Sequence, residues 1–356
     1  MDRARAPVKA LPASKVGGVR KRCPALPRSS GTLPISRAAT TVPQTLLQRW
    51  LYALKLKSWP KLAAPMLLGQ GVGVATVGQA SFGATMTGIA FTALDLVLIV
   101  LLNDWGDREV DAIKRRRFPE GCSPKTIPDG ILPASHVLFG GLLASAALVA
   151  LGFVAGTVLH RPLLFPLSVG TVAMFVAYTF KPVALNYRGG GELVEALGVG
   201  LVLPAVSVYL HTGVLFDPLM LSLAPALVTL AAASAVASGL SDEESDREGG
   251  KRTFTTMLGN RRARGITEVC VAVGAALLLW SKAPWLVILP SCAVLGFYLR
   301  KMRAVGPTAT TSAFNAQNDY KGALHAGLWG AQVLLGVTLA ALGLLASPTM
   351  NVLMLP

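Results

Sequence analysis

An all-α polytopic membrane bundle, with about nine transmembrane helices around a central cavity, is the fold that this sequence predicts. Three observations carry it. Apolar residues make up 53% of the 356 residues and charged ones only 14%, with a mean hydropathy of +0.55, which leaves too little polar surface for a solvated globule. The apolar residues are gathered into runs near the ~20 residues that a bilayer core requires. The basic residues crowd into alternate connections between those runs.

Taken in order, the expected spans cover about 62–80, 84–103, 134–155, 163–181, 192–210, 218–240, 266–281, 283–300 and 322–346. Only Ser281 and Lys282 separate the seventh from the eighth. Basic residues are dense before the first span and between the second and third (Arg108, Lys114, Arg115, Arg116, Arg117, Lys125). They are dense again between the sixth and seventh (Arg247, Lys251, Arg252, Arg261, Arg262, Arg264) and between the eighth and ninth (Arg300, Lys301, Arg303, Lys321). The other connections hold only Arg161 and Lys282. This positive-inside pattern puts the N-terminus and the connections after spans two and six on the cytoplasmic or equivalent side, and the C-terminus on the other. The net charge of +15 then reads as topology and attraction to lipid headgroups, and calls for no nucleic-acid partner.

Residues 1–44 differ in kind. They hold nine Arg or Lys, one acid (Asp2), several Pro and Ser, and no helical apolar stripe, so a disordered basic tail is expected there, dispensable for catalysis, with the membrane domain over 45–356. A bacterial tail or overextended start and an organelle transit peptide share this composition. The membrane is accordingly the bacterial cytoplasmic membrane or, with a transit peptide, a plastid membrane. Cys23, Cys122, Cys270 and Cys292 have neither metal-ligand spacing nor the density of a disulfide framework.

The chemistry is concentrated in two acidic clusters at the ends of apolar runs: Asn103-Asp104-Trp105-Gly106-Asp107-Arg108-Glu109-Val110-Asp111 and Asp242-Glu243-Glu244-Ser245-Asp246-Arg247. On one α-helix, at about 100° per residue, Asn103, Asp104, Asp107 and Asp111 fall within an arc of roughly 100°, and Asp242 stacks with Asp246. Two facing carboxylate stripes repel unless cations neutralise them, and hard oxygen donors suit Mg²⁺ shared with substrate phosphates. A diphosphate bridged by Mg²⁺ is the natural guest.

The first cluster resembles the Asn-Asp-x-x-Asp-x-x-x-Asp motif of the UbiA superfamily of intramembrane aromatic prenyltransferases, and Asp242-x-x-x-Asp246 resembles its second acidic motif. The resemblance runs from residue 50 to about 346. Pro60 to Gly69, Tyr178 to Glu192 and Asp246 to Thr253 are similar to stretches of the menaquinone-pathway members, which prenylate 1,4-dihydroxy-2-naphthoate. Asn103-Asp104-Trp105 and Asp107 to Ile113 are also close to the chlorophyll synthase form of the motif, which leaves chlorophyllide, 4-hydroxybenzoate and homogentisate as alternative acceptors. One departure is the longer loop from Lys114 to Gly130, which would cap the site differently.

The resemblance implies Mg²⁺-dependent transfer of a polyprenyl group from an allylic diphosphate to an aromatic acceptor, with membrane lipid as the surrounding partner. Two Mg²⁺ ions are implied, one at Asn103, Asp104, Asp107 and Asp111 and one at Asp242 and Asp246. Lys181, Arg188, Lys251 and Arg252 are expected to contact the diphosphate or the acceptor carboxylate, with Arg108 and Arg115 as further candidates. Tyr178, three residues before Lys181 on one helical face, would shield the allylic cation or orient the diphosphate. The plain reading of these cations is as headgroup anchors or topology determinants. Glu243 and Glu244 read as flanking polar residues, and Glu192 and Glu195 as acceptor contacts or dipole-favoured helix starts. Asp95 falls in mid-span, where helical arithmetic sets it opposite the acid stripe, so a neutral or hydrogen-bonded role between helices is expected. None of His136, His160, His211 and His325 has ligand spacing. A divalent-cation transporter is the rival class, but transporters favour internal repeats and mid-membrane charge pairs, whereas these acids sit at span ends.

Overall fold

The computed structural model describes residues 45–119 and 122–346, and every regular element among them is helical. The tail expected at 1–44 lies outside the described residues. Thr45 opens α1 (Leu46–Ala53) with a capping box, its hydroxyl accepting the Gln48 N–H at 3.2 Å while Gln48 accepts the Thr45 N–H at 3.2 Å. Lys55 then takes a left-handed backbone conformation, φ 48°, and the chain enters α2 (Pro60–Val77) on a proline whose missing N–H costs nothing in the first turn. Gly78, at φ 70°, ends it.

Ser81 caps α3 (Phe82–Gly106), which breaks at Asp107 before the charged α4 (Arg108–Arg117). Two long apolar helices follow, α5 (Ala134–Val158) and α6 (Leu164–Thr179), then the single turn α7 (Leu185–Arg188). Helix α8 (Gly191–Leu197) passes through a π-helical turn at Gly198–Val202 into α9 (Leu203–Thr212). Asp217 caps α10 (Pro218–Ser238) by accepting the N–H groups of Leu219 and Met220, each at 2.9 Å. The short α11 (Glu243–Glu248) and α12 (Phe254–Leu258) precede α13 (Asn260–Leu278), α14 (Trp285–Val305) and α15 (Phe314–Ala346).

Six stretches are long and apolar enough to cross a bilayer: Phe82–Gly106, Ala134–Val158, Gly191–Thr212, Pro218–Ser241, Trp285–Thr308 and Phe314–Ala346. The expectation of nine spans therefore holds only for these six by length and hydropathy. The first, fourth and seventh expected spans fall on α2, α6 and α13. Of these α6 has 16 residues, α2 carries Lys61 and Gln70, and α13 starts with Arg261, Arg262 and Arg264. Outward residues such as Phe139, Leu143, Phe153 and Leu286 are exposed, as lipid-facing side chains are.

Two apolar clusters organise the bundle. One joins α2, α3, α5, α6 and α9, and the other joins α10, α13, α14 and α15 around α2. Lipid tails are as apolar as the helices, so close approach depends on small residues. A Cβ on Gly71 of α2 would lie 2.0 Å from the Gly336 carbonyl oxygen of α15. The cavity opens beside the first of them, whose Leu62, Phe91, Phe175 and Leu203 line it.

Candidate active site

A cavity of about 340 Å³ opens among α2, α3, α6, α8–α9 and α10. Its wall combines charged side chains with apolar ones such as Leu62, Phe91, Ile99 and Leu203. Asn103 and Asp104 occupy the last turn of α3, Asp107 the break after it, Asp242 the residue before α11, and Asp246 lies within α11; all five line the cavity. Glycine at 106 lets α6 close on this end of α3, because a Cβ there would meet Thr179 Cγ2 at 2.3 Å. The two acidic segments, far apart in sequence, converge as expected.

Asp111 stands apart from the rest of the expected ligand set and does not line the cavity. Instead of one helix carrying all four residues, the chain breaks at Asp107, and Asp111 is buried on α4 in an ion pair with Lys125, off the cavity wall. A lysine also faces each of the neighbouring acids. Lys55 pairs with Asp104, Lys114 with Asp242, and Lys251 with Asp107 at 2.6 Å. Thr126 donates to Asp104 at 2.5 Å, and the Tyr187 hydroxyl donates to Asp107 at 3.1 Å. The long connection that holds Lys125 and Thr126 thus closes on the acids.

Burial sets the electrostatics here. It pushes the Asp246 carboxyl up to about 6, with Lys251 opposing and Asp107 reinforcing the shift. It pulls the Lys114 ammonium down to about 7, helped by repulsion from Lys125 and Lys321. Burial also disfavours charge on Lys251, but Asp107 and Asp246 outweigh it and hold that ammonium above its ordinary value. Lys251 is the fixed cation between the two acidic segments.

Other expected cations lie elsewhere. Lys181, Arg188 and Arg252 are exposed and do not line the cavity. Helix α6 ends at Thr179, so Lys181 no longer shares a helical face with Tyr178, which does line the cavity. Arg188 closes α7, and Arg252 points away from the buried Lys251 beside it. Arg115 is bound to Asp129, with Nε and Nη2 donating at 2.6 and 2.7 Å. Asp129 also accepts the Tyr52 hydroxyl at 2.6 Å and the Lys125 N–H at 2.9 Å, which ties α1, α4 and the long loop together.

Asp95 is a further correction. It lines the same cavity as the acid cluster, because Phe91, Asp95, Ile99 and Asn103, at four-residue spacing, all face it. Glu243 holds the Asn260 N–H at 3.2 Å and the Thr311 hydroxyl at 2.8 Å, and Glu244 holds Arg117 at 2.9 Å, so both act as flanking residues. Glu192 and Glu195 line the cavity, Glu195 paired with Lys61 at 2.5 Å. Sequence reasoning missed Lys55, Lys61, Thr126 and Tyr187 as site residues. Lys61 stood inside a quoted stretch, whereas Lys55 had no local signal.

Among the described residues, no three carboxylate, imidazole or thiolate side chains gather closely enough to hold a metal ion unaided. The donors are nevertheless hard oxygens in opposed ones and twos, matched now by ammonium groups. That set fits a small divalent cation that completes its shell with phosphate oxygens and water.

Residues 59–327 match the UbiA prenyltransferase family. A 1,4-dihydroxy-2-naphthoate octaprenyltransferase from Escherichia coli (strain K12) is 27% identical over 293 residues, covering 78% of this chain and 92% of that protein. The protein of the same name from Bacillus subtilis (strain 168) is 25% identical over 164 residues, 41% of this chain, and the match spans 52% of that relative's length. A UbiA homolog from Archaeoglobus fulgidus, solved bound to DMAPP and Mg²⁺, has the same fold with a TM-score of 0.58 and 16% identity, over 80% of this chain and 99% of that one.

Proposed function

The chain belongs to the UbiA prenyltransferase family and is an integral membrane prenyltransferase, and from that premise we propose that it transfers a polyprenyl group from an allylic diphosphate to 1,4-dihydroxy-2-naphthoate. The observation that carries this reading is the meeting of carboxylates from both acidic segments, with Lys55 and Lys251 among them, in a cavity whose other walls include Leu62, Phe91, Ile99, Phe175 and Leu203. The diphosphate takes the mouth and the prenyl chain the interior. The acceptor is supported by the names of the two relatives and by the three stretches around Pro60, Tyr187 and Asp246.

Asn103, Asp104, Asp107, Asp242 and Asp246 are the groups that would hold Mg²⁺, two ions in our reading. Bound there, Mg²⁺ would neutralise the diphosphate and stabilise it as a leaving group. The chain's own residues do the rest. Lys251 and Lys55 turn from carboxylate to departing diphosphate, where a cation binds more strongly as negative charge develops. Tyr178, stacked on Phe175 with ring centroids 5.8 Å apart, offers a ring face to the allylic cation, and the apolar side chains of the wall keep out the water that would quench it. Lys61, inside the cavity, takes the acceptor carboxylate that the exposed Lys181 and Arg188 do not reach. Both acidic segments face the cytoplasmic side, where the basic connections lie.

The test is product analysis with full-length protein in lipid nanodiscs, supplied with polyprenyl diphosphates, Mg²⁺ and each of 1,4-dihydroxy-2-naphthoate, 4-hydroxybenzoate, homogentisate and chlorophyllide. Preferred prenylation of the naphthoate with release of carbon dioxide is expected. Preference for chlorophyllide or homogentisate would overturn the acceptor and leave prenyl transfer intact.

A further inference from the structure

We propose that Asp95 is a catalytic residue of this cavity, taking the hydroxyl proton of the aromatic acceptor as the ring attacks the prenyl group. The inference rests on the prenyl transfer proposed above. Asp95 is 6% exposed, lines the cavity, and its buried Oδ1 has no hydrogen-bond partner among the described residues. A carboxyl in a membrane helix ordinarily faces a donor on a neighbouring helix or a cavity with work to do. Here the first is missing. The cations that share the cavity pair with other carboxylates, Lys55 with Asp104, Lys61 with Glu195 and Lys251 with Asp107.

Position along α3 defines what Asp95 meets. It stands eight residues before Asn103, about 12 Å deeper along the helix axis. With the diphosphate among Asn103, Asp104 and Asp107, the allylic carbon lies just below it. A ring carbon in attacking contact is a further ~3–3.5 Å away. The hydroxyl beside that carbon points on toward Asp95, and a hydrogen bond of ~2.7 Å closes the gap. Phe91 and Ile99, one turn to either side of Asp95 on α3, line the cavity with it and carry no ionisable group.

The step balances without a further reactant. The bond between the allylic carbon and the diphosphate oxygen breaks, and its electron pair leaves with the diphosphate. A ring carbon beside the hydroxyl supplies its π pair to the new C–C bond, the hydroxyl becomes a carbonyl, and its proton passes to the Asp95 carboxylate. Loss of carbon dioxide from that ring carbon returns an electron pair to the ring. Asp95 then gives the proton back to the oxygen, and the aromatic ring is restored.

The experiment compares wild type, Asp95→Asn and Asp95→Glu, each full-length in nanodiscs, for turnover and for binding of a non-ionising prenyl diphosphate analogue with Mg²⁺. Asp95→Asn should lower kcat by ~10²-fold or more, the usual yield of a positioned base. Analogue binding should stay within about threefold of wild type, and Asp95→Glu should recover part of the rate. An acceptor whose neighbouring hydroxyl is methylated should slow wild type to the level of the variant and slow the variant no further. Turnover of Asp95→Asn within about threefold of wild type would overturn the role, as would analogue binding that falls in step with rate, since Asp95 would then only hold the fold. If wild type itself prenylates no hydroxyaromatic acceptor, the proposed function and this role fall together; if wild type turns over and Asp95→Asn matches it, only Asp95 falls.

Discussion

Asp107 and Asp111 stand four residues apart where α3 gives way to α4, as Asp242 and Asp246 do around α11, but only the second pair keeps both carboxylates in the cavity. The backbone does not make the difference. Asp107 and Asp242 each lie directly before a helix, and the carbonyl of each accepts the N–H of the acid four residues on, Asp111 or Asp246, at 2.8 Å. The neighbours differ: Lys125 of the long loop holds Asp111 in an ion pair off the cavity, and Asp246 has no such pair among the described residues. Equal spacing thus marks two different jobs: donors at the mouth, and an anchor for the loop that covers it.

Removing a donor should produce the largest effect. Asp107→Asn or Asp242→Asn should each cut turnover by ~10³-fold or more without loss of membrane insertion, because the diphosphate's neutralising groups act in a dry site. Chelation should mimic this, with activity restored by added Mg²⁺. Lys251→Met should follow, with a loss of ~10²-fold in kcat/KM, since it deletes the buried cation that bridges the segments. For Asp111→Asn we expect a loss of only about tenfold, read as a raised KM from a loosened loop. Kinetics of the two variants side by side decide the matter, and equal losses at Asp107 and Asp111 would erase the contrast between the segments.

A smaller effect belongs to the anchor's neighbour. Burial alone would raise the Asp129 carboxyl, but hydrogen bonds from Arg115 and Tyr52 outweigh it and hold the group below the usual carboxylate range. A depressed folded-state value gives stability that is present above the unfolded value of about 3.9 and is lost as pH falls through the folded one. Thermal melting should therefore weaken as pH drops below about 4, and Asp129→Asn, destabilised by roughly 1–3 kcal/mol at neutral pH, should lack that component of the acid response. A variant with an unchanged melting profile would remove the tie between α1, α4 and the loop. The smallest effects should come from Lys181→Ala, Arg188→Ala and Arg252→Ala, each within about threefold of wild-type turnover. A large loss at any of them would mean that the exposed connections fold over the cavity during catalysis.

Much of the site was legible because its acids sit where apolar runs stop. Asn103, Asp104, Asp107, Asp242 and Asp246 all reach the cavity, and Tyr178 and Lys251 join them. The departures have separate causes. Helical periodicity puts Lys181 on the face of Tyr178, but Lys181 lies beyond the end of α6. It sets Asp95 opposite the acids on a helix that is in fact unbroken from Asp95 to Asp104, but the cavity takes a wider arc of α3 than the acid stripe alone. Span count suffered similarly, since Gln70 and the arginines of α13 lower hydropathy without ending a helix.

What the sequence determined by itself was the solvent and the class of chemistry: runs too apolar for water, cations sorted to one set of connections, and oxygen donors where those runs end. These properties are local, and composition and short-range periodicity carry them. Which cation meets which acid was decided by the tertiary structure alone. Lys55 and Asp104 are 49 residues apart, Lys114 and Asp242 128, and Lys251 and Asp107 144. Such pairs form only when helix packing brings distant connections to the same mouth, and nothing in the residues surrounding either partner records the distance between them. The same holds for Asp95, whose facing depends on where α6 and α9 leave room beside α3.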